Sequence, residues 1–327
     1  MVHILQTSMD KKKFNEMVSL VEKLKQQIES VIIGKPEAVQ LALTALLARG
    51  HVLVEDLPGT GKTTLAKTIA RSLGGLFKRV QFTPDLMPSD VTGMNYYNPK
   101  TGDFEFRAGP VLTNILLADE INRATPRAQS ALLEAMEERQ VTVDGVTHRI
   151  EQPFLVLATQ NPIESEGTFT LPFAQQDRFL LKLHLGYPSR QDELNILNIH
   201  GFADKLATLE PVLSVQQVLV VQELVRHVYL DESLAGYIMD LVEATRRHEL
   251  VELALSPRAS LSMLRAAKAL ALQRGRAYVL PDDIKFLCQP VFSHRLKLKR
   301  SEAYKERKSE DILREILAEI PIPLQGR

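Results

Sequence analysis

The stretch HVLVEDLPGTGKTTL, His51 to Leu65, decides how the rest of the chain is read. Five residues in strand pattern, His51–Glu55, run into Asp56-Leu57-Pro58-Gly59-Thr60-Gly61-Lys62-Thr63, and an amphipathic helix from Lys62 to about Leu73 follows at once. Gly59 and Gly61 carry no Cβ, so backbone N–H groups there can turn inward and close on phosphate oxygens. Lys62 is spaced to reach β- and γ-phosphates, and Thr63 to offer a hydroxyl to Mg²⁺. The helix points its positive dipole end at the same anion. Pro58, Gly59, Thr60, Gly61, Lys62, Thr63 and Thr64 are therefore the expected nucleotide cradle. One position departs from the usual pattern, which opens with glycine: here it is Asp56. A Gly-Pro-rich turn could also form with no ligand, but GKT at a strand–helix junction favours the cradle.

The composition bounds what such a cradle can belong to. The 327 residues suffice for two domains with cores of their own. Lys plus Arg and Asp plus Glu are 40 each, so no global basic field points to general nucleic-acid binding. Cys288 is the single cysteine, which excludes an intramolecular disulfide and a cysteine-cluster metal site; it is expected to be a small buried group in a helix. No apolar run approaches a membrane span, and the N-terminus MVHILQTSMDKKKF has its basic residues after the apolar stretch, unlike a signal peptide. Cytoplasm is the expected compartment.

Upstream of the cradle, Phe14, Val18, Val21, Leu24 and Ile28 recur at helical spacing, and Pro36 restarts a helix at its first turn. Between them, Ile33 and Gly34 end a short apolar strip that suits a wall for a nucleotide base. On spacing alone, a plain loop between two helices fits equally well. Downstream, Phe77–Phe82 reads as a second strand. The turn-rich Thr83–Gly109 carries Tyr96-Tyr97 and Phe104-Glu105-Phe106 like two arms of a hairpin, either an interaction insert or a tucked surface feature.

Asn114–Glu120 is a buried strand ending in paired acids. About 55 residues after GKT, this is where a nucleotide hydrolase keeps an Mg²⁺-binding Asp (Asp119) and a carboxylate that orients the attacking water (Glu120). Pro126–Glu138 reads as a helix and Gln140–Ile150 as a hairpin around Asp144-Gly145. Phe154–Thr159 is the next buried strand, and Asn161 at its carboxyl end is placed to touch the γ-phosphate or the water. After a last strand at Phe179–Leu185, strand patterning stops at Tyr187-Pro188-Ser189-Arg190 and the remainder reads as helical. Arg258, in the first turn of a helix capped by Ser256, works against the helix dipole and so suits a ligand, though a solvated arginine also fits. The basic tail from His294 to Lys308, interrupted by Glu302 and Glu306, reads as a solvated helix end.

Taken together, GTGKT (59–63), LLADEINRATPRAQSALLEAMEE (116–138), FLVLATQNPIESEGTFTLPFAQQDRF (154–179) and SPRA (256–259) resemble the MoxR family of AAA+ ATPases. Matches such as YIMDLVEATRRH (237–248) and GRAYVLPDDI (275–284) carry the resemblance over nearly the whole chain. It implies an α/β fold: an N-terminal helix (1–30), a P-loop αβα nucleotide-binding core (31–187) and a smaller helical lid with a C-terminal tail (188–327). Within the core, 83–109 corresponds to a helix-2 insert and 140–150 to a pre-sensor hairpin, both expected near a ring's central pore.

The resemblance also implies ATP and Mg²⁺ as bound groups and a homo-oligomer, usually a hexameric ring. Carried over by position, Lys62 and Thr63 hold phosphate and Mg²⁺, Asp119 and Glu120 supply the Mg²⁺ and water carboxylates, and Asn161 is the first sensor. Arg178 matches an arginine finger serving the neighbouring subunit, and Arg258 a second sensor expected to act within its own subunit. Gln81 falls where relatives keep a polar residue that restrains the catalytic Glu. Phe173, Gln176 and Leu255 depart from the family's pattern without removing a catalytic group. The function implied is ATP-driven, chaperone-like activation or metal and cofactor loading of proteins with von Willebrand factor A domains. A nucleic-acid motor of the helix-2-insert type is the alternative, disfavoured by Lys100 and Arg107 being the only bases in Asn95–Arg107. A non-hydrolysing switch is disfavoured by the intact Glu120 and Arg178.

Overall fold

The computed structural model describes residues 8–161, 168–200, 205–299 and 307–323. The order in the first part is α1 (Ser8–Glu29), α2 (Pro36–Leu47), β1 (Val52–Glu55), α3 (Lys62–Ser72), β2 (Phe77–Gln81), α4 (Pro88–Thr92), β3 (Gly93–Asn98), β4 (Asp103–Ala108), β5 (Ile115–Asp119), α5 (Pro126–Glu138), β6 (Gln140–Val143), β7 (Val146–Arg149), β8 (Leu155–Gln160), α6 (Phe173–Gln176) and β9 (Leu181–Leu183). Five strands form one parallel sheet in the order β2-β5-β8-β1-β9. Both of its faces are covered, which is why the inner strands β5, β8 and β1 are apolar runs rather than alternations. Successive residues point to opposite faces. Val52, Val54, Ile115 and Leu117 pack on α2, α3 and the lid, while Leu53, Leu116, Ala118 and Val156 pack on the α5 side.

The lid runs α7 (Arg190–His200), α8 (Val215–His227), α9 (Glu232–Arg247), β10 (Val251–Leu253), α10 (Pro257–Gln273), α11 (Pro281–Phe292), β11 (Lys297–Leu298) and α12 (Ser309–Glu319). Two features correct the expectation of a purely helical lid with a solvated tail. β10 pairs antiparallel with β11, strands too short to leave a period in the sequence. His294 and Arg295 are buried rather than solvated, in a 3₁₀ turn that follows α11. The tail charges at 300–306, Glu302 and Glu306 among them, lie outside the described residues, as do residues 1–7 of the N-terminus. Cys288 is buried in α11, and burial pushes its thiol up to about 12.

α2 is apolar almost all round, the mark of a helix with no solvent face. It is the common wall of nucleotide domain and lid, and α1 packs against it with Phe14, Val21, Leu24 and Ile28. Gln222 and Gln273 of the lid bond Leu46 O and Thr44 Oγ1 of α2, each at 2.7 Å. The N-terminal helix, one face of the sheet and the lid thus share one core. Among the described residues, no helix is long and apolar enough to cross a membrane.

His51, just before β1, is buried in this scaffold. Its Nδ1 accepts from Val156 N–H at 3.0 Å, and its Nε2 donates to Met136 O at 3.2 Å, which fixes the neutral tautomer. Burial lowers its pKa to about 4, opposed by the Met136 bond and helped by Arg139. The unfolded chain, with a histidine near its ordinary value of about 6.5, therefore binds the proton first. Stability should be full above the unfolded value and fall as pH drops toward the folded one, by roughly 3 kcal/mol across the window. Urea unfolding at pH 7 and pH 5 checks this: His51→Gln, which can keep both bonds, should lose less stability than the parent. An equal loss in both would remove His51 as the cause.

Candidate nucleotide site

Every expected catalytic group except the two arginines collects at the carboxyl ends of the parallel strands, where such sheets bind ligands. The cradle follows β1, Asp119 ends β5, Gln81 ends β2 and Asn161 follows β8. Gly59 and Gly61 have φ of +81° and +93°, and a Cβ built on either would meet nothing within 4 Å, so the loop is open on its ligand side. Gly61 hands the chain to α3, whose first N–H groups face the same space. The Lys62 ammonium donates to Asp56 O (3.0 Å) and Leu57 O (3.1 Å), folded against its own loop.

The acids are tightly positioned. Thr159, fully buried on β8, donates its hydroxyl to Asp119 Oδ1 (2.6 Å) and accepts from Glu120 N–H (2.8 Å). Arg79 pairs with Asp119 Oδ2 at 2.7 Å. Glu120 adopts φ 56°, a left-handed conformation costly for a non-glycine residue and concentrated at functional sites. Its carboxylate accepts from Gln81 Nε2 at 2.6 Å and pairs with Arg123 at 2.9 Å. Gln81 thus touches the carboxylate that it was expected to restrain. Asn161, one residue past β8, is buried.

The donor set suits Mg²⁺. Thr63 and Asp119 offer hard oxygens beside an open anion cradle, and among the described residues no cluster of three His, Cys, Asp or Glu competes as a metal cage. Mg²⁺ prefers such sites, with one or two protein oxygens and the rest from phosphate and water. Held by Thr63 and Asp119, it would supply positive charge to the phosphates.

Ile33 and Gly34 sit beside the hinge into the lid. A Cβ on Gly34 would collide with the Asp192 carboxylate, and Lys35 Nζ donates to Tyr187 O at 2.7 Å. The segment is thus tied to the chain that leaves β9, next to the cradle. A cavity of about 520 Å³ opens on its other side, between Lys35, β9 and α11.

Arg178 and Arg258 stand elsewhere. Both pair with Glu137, Arg178 at 3.0 Å, in a cavity of about 110 Å³ that His51 and Leu180 also line. His51 and Leu180 precede β1 and β9, and Glu137 lies in the last turn of α5, so this pocket is at the amino ends of the strands. A sheet and its loops separate it from Lys62. This placement differs from the expectation that Arg258 serves its own nucleotide: Arg258 lies with Glu137 at the amino ends of the strands, while Lys62 follows the carboxyl end of β1. Sequence reading missed what builds this pocket. Arg295, buried in the presumed solvated tail, donates to Asp177 Oδ1 (2.6 Å), Ser262 Oγ and the carbonyls of Asp177 and Leu180, fixing the residue before Arg178. Ser256, the cap of α10, donates to Asp177 Oδ2 at 3.0 Å. Arg49, Arg139 and Arg265 line the same cavity. Burial, then Arg49 and Arg265, lower Arg139, and burial, then Arg258, lower Arg265.

Fold and site together define a P-loop ATPase with a helical lid. The family model described as "ATPase family associated with various cellular activities (AAA)" matches residues 51–181, and one described as "AAA lid domain" matches residues 243–316. The chain is 49% identical to the uncharacterized protein YeaC of Bacillus subtilis over 94% of its own length and 96% of that protein's. It is 42% identical to the chaperone MoxR1 of Mycobacterium tuberculosis, covering 91% of this chain and 81% of that one. A solved structure from Cytophaga hutchinsonii, assigned as an ATPase, superposes with a TM-score of 0.91 at 35% identity, over 98% of this chain and all of the other. The chain belongs to the MoxR family of AAA+ ATPases, and it hydrolyses ATP.

Proposed function

We propose that the chain works as a ring, hexameric by family resemblance, in which Mg²⁺-dependent ATP hydrolysis at subunit interfaces drives chaperone-like remodelling or cofactor loading of protein partners. The observation that carries this reading is the division of the site: Lys62, Asp119, Glu120 and Asn161 at one end of the sheet, Arg178 and Arg258 at the other. Brought together at an interface, the two ends would offer a transferring phosphoryl group positive charge from both sides. In the single subunit, the Glu137 carboxylate fills the anion position between the two guanidiniums, which a neighbour's γ-phosphate would take over.

ATP lies in the cradle from Pro58 to Thr64, its base against Ile33 and Gly34, with Thr63 and Asp119 as the Mg²⁺ ligands. Glu120, released from Gln81, orients a water for in-line attack and takes its proton as the new P–O bond forms. The bond from the γ-phosphorus to the bridging oxygen breaks, leaving ADP and phosphate. Lys62 and Asn161 hold the phosphoryl group from one side, and the neighbouring subunit's Arg178 and Arg258 neutralise its charge from the other.

Two hairpins supply the partner surface. Asn95 donates to Asp144 at 2.8 Å, and Phe106 stacks on His148 at 3.7 Å, so β3-β4 and β6-β7 lie against each other. Tyr97 and Phe104 stay exposed on the first of them. The name of the relative MoxR1 supports chaperone work, and family resemblance supports partners with von Willebrand factor A domains. Consumption of ATP suits the cytoplasm. The test is ATP turnover per subunit against protein concentration. Specific activity should rise as subunits associate; a flat profile would leave the shared site wrong.

A further inference from the structure

Asp56 occupies the position where loops of this kind usually carry glycine, and its side chain is only 7% exposed. Oδ1 accepts from Leu57 N–H at 2.8 Å, while Oδ2 accepts from Leu185 N–H and Gly186 N–H, each at 2.7 Å. The residue's own N–H donates to Gln160 O at 3.1 Å, and its carbonyl accepts from Lys62 Nζ at 3.0 Å. One residue therefore touches three stretches with different tasks. They are the cradle through Lys62, the end of β8 that carries Asn161, and the Leu185-Gly186-Tyr187 segment that leads from β9 into the lid. Three N–H donors converging on one buried group are satisfied by a carboxylate and not by an amide, whose NH₂ would face an N–H.

We propose that Asp56 is a positioning residue that couples the nucleotide cradle to the lid. The proposal rests on the cradle binding ATP. Hydrogen bonds to an ionised acceptor are short and stiff, so the hinge N–H groups cannot shift without moving the Asp56 backbone, nor the reverse. Lys62 holds that backbone from the cradle side. When its ammonium turns from the Asp56 and Leu57 carbonyls to a phosphate, the peptide is released there and stays fastened at Leu185 and Gly186. The displacement is thus delivered to the chain entering α7. Glycine at this position would offer neither charge nor side-chain acceptor, and the two ends would move independently.

The chain contains no tryptophan, and the Tyr187 side chain is 65% exposed, so Tyr187→Trp puts a single reporter on the hinge. With Mg²⁺ and AMP-PNP as the probe, calorimetry gives binding and indole emission gives hinge movement. Tyr187→Trp should bind AMP-PNP and change its emission. Adding Asp56→Asn should leave affinity within about threefold, abolish the emission change and lower kcat about tenfold with KM little altered. A merely structural residue would lower stability without separating binding from emission. An unchanged emission response in the double variant overturns the coupling, as does loss of AMP-PNP binding together with the response. Tyr187→Trp protein that binds AMP-PNP without any response also overturns it. Tyr187→Trp protein that binds no AMP-PNP at all would instead take away the nucleotide reading beneath it. Should Asp56→Asn not fold, Asp56→Gly gives the same comparison with the usual residue.

Discussion

Arg178→Ala should abolish ATP turnover while leaving ATP binding intact. An arginine that stabilises the transferring phosphoryl group contributes about 10³–10⁵ in rate, far more than any folding effect expected here. The guanidinium is partly exposed, with its charge shared with Glu137 and one bond to Leu133 O, so its removal costs the fold on the order of 1 kcal/mol or less. What separates a finger from an arginine needed at home is complementation. Arg178→Ala keeps a complete cradle, and Lys62→Ala keeps a complete finger. Mixed, the two inactive variants should recover activity, because some interfaces then pair an intact cradle with an intact finger. No recovery in a mixture shown to co-assemble would mean that Arg178 acts within its own subunit, against the placement of its pocket at the far end of the sheet.

Glu120→Gln carries the second large effect. A positioned general base contributes about 10²–10⁴ in rate, and glutamine keeps size and hydrogen bonding while losing the proton acceptor. The left-handed backbone at φ 56° and the Glu120 N–H bond to Thr159 do not depend on the carboxylate, so the fold should be untouched. ATP affinity should hold or rise, since hydrolysis no longer empties the site. Turnover equal to the parent in a single-turnover assay would leave the proposed chemistry without its base.

The half of the site that follows strand ends was legible in the sequence, because its residues are local to motifs: GKT between a strand and a helix, Asp119-Glu120 closing an apolar run, Asn161 after the next one. α5 has the bounds read from its apolar spacing, Pro126–Glu138. In the other half, Arg178 and Arg258 were reached through the family resemblance, but what surrounds them was not legible, because it is made of tertiary contacts. Nothing in EAMEE marks Glu137 as the shared counter-ion of two arginines lying 41 and 121 residues further along the chain. Arg295 sits in a run of basic residues, where solvation is the natural reading; only burial against Asp177 shows its task. β10 and β11, three and two residues long, span too little of a two-residue period to show an alternation. α12 did carry a signal, Ile312, Leu313 and Ile316 at helical spacing, but charge dominates the tail and hides it. Asp56 was visible as a departure, and its meaning lay 129 residues away at Leu185.

The opposite placement of cradle and arginine pocket has a consequence for symmetry. A subunit that gives with one end and receives with the other makes a directional contact, so two subunits cannot satisfy each other about a two-fold axis as an isologous dimer does. A linear run always ends in one cradle without donors and one arginine pair without a nucleotide. If the site is shared as proposed, only a closed circle would leave no such ends.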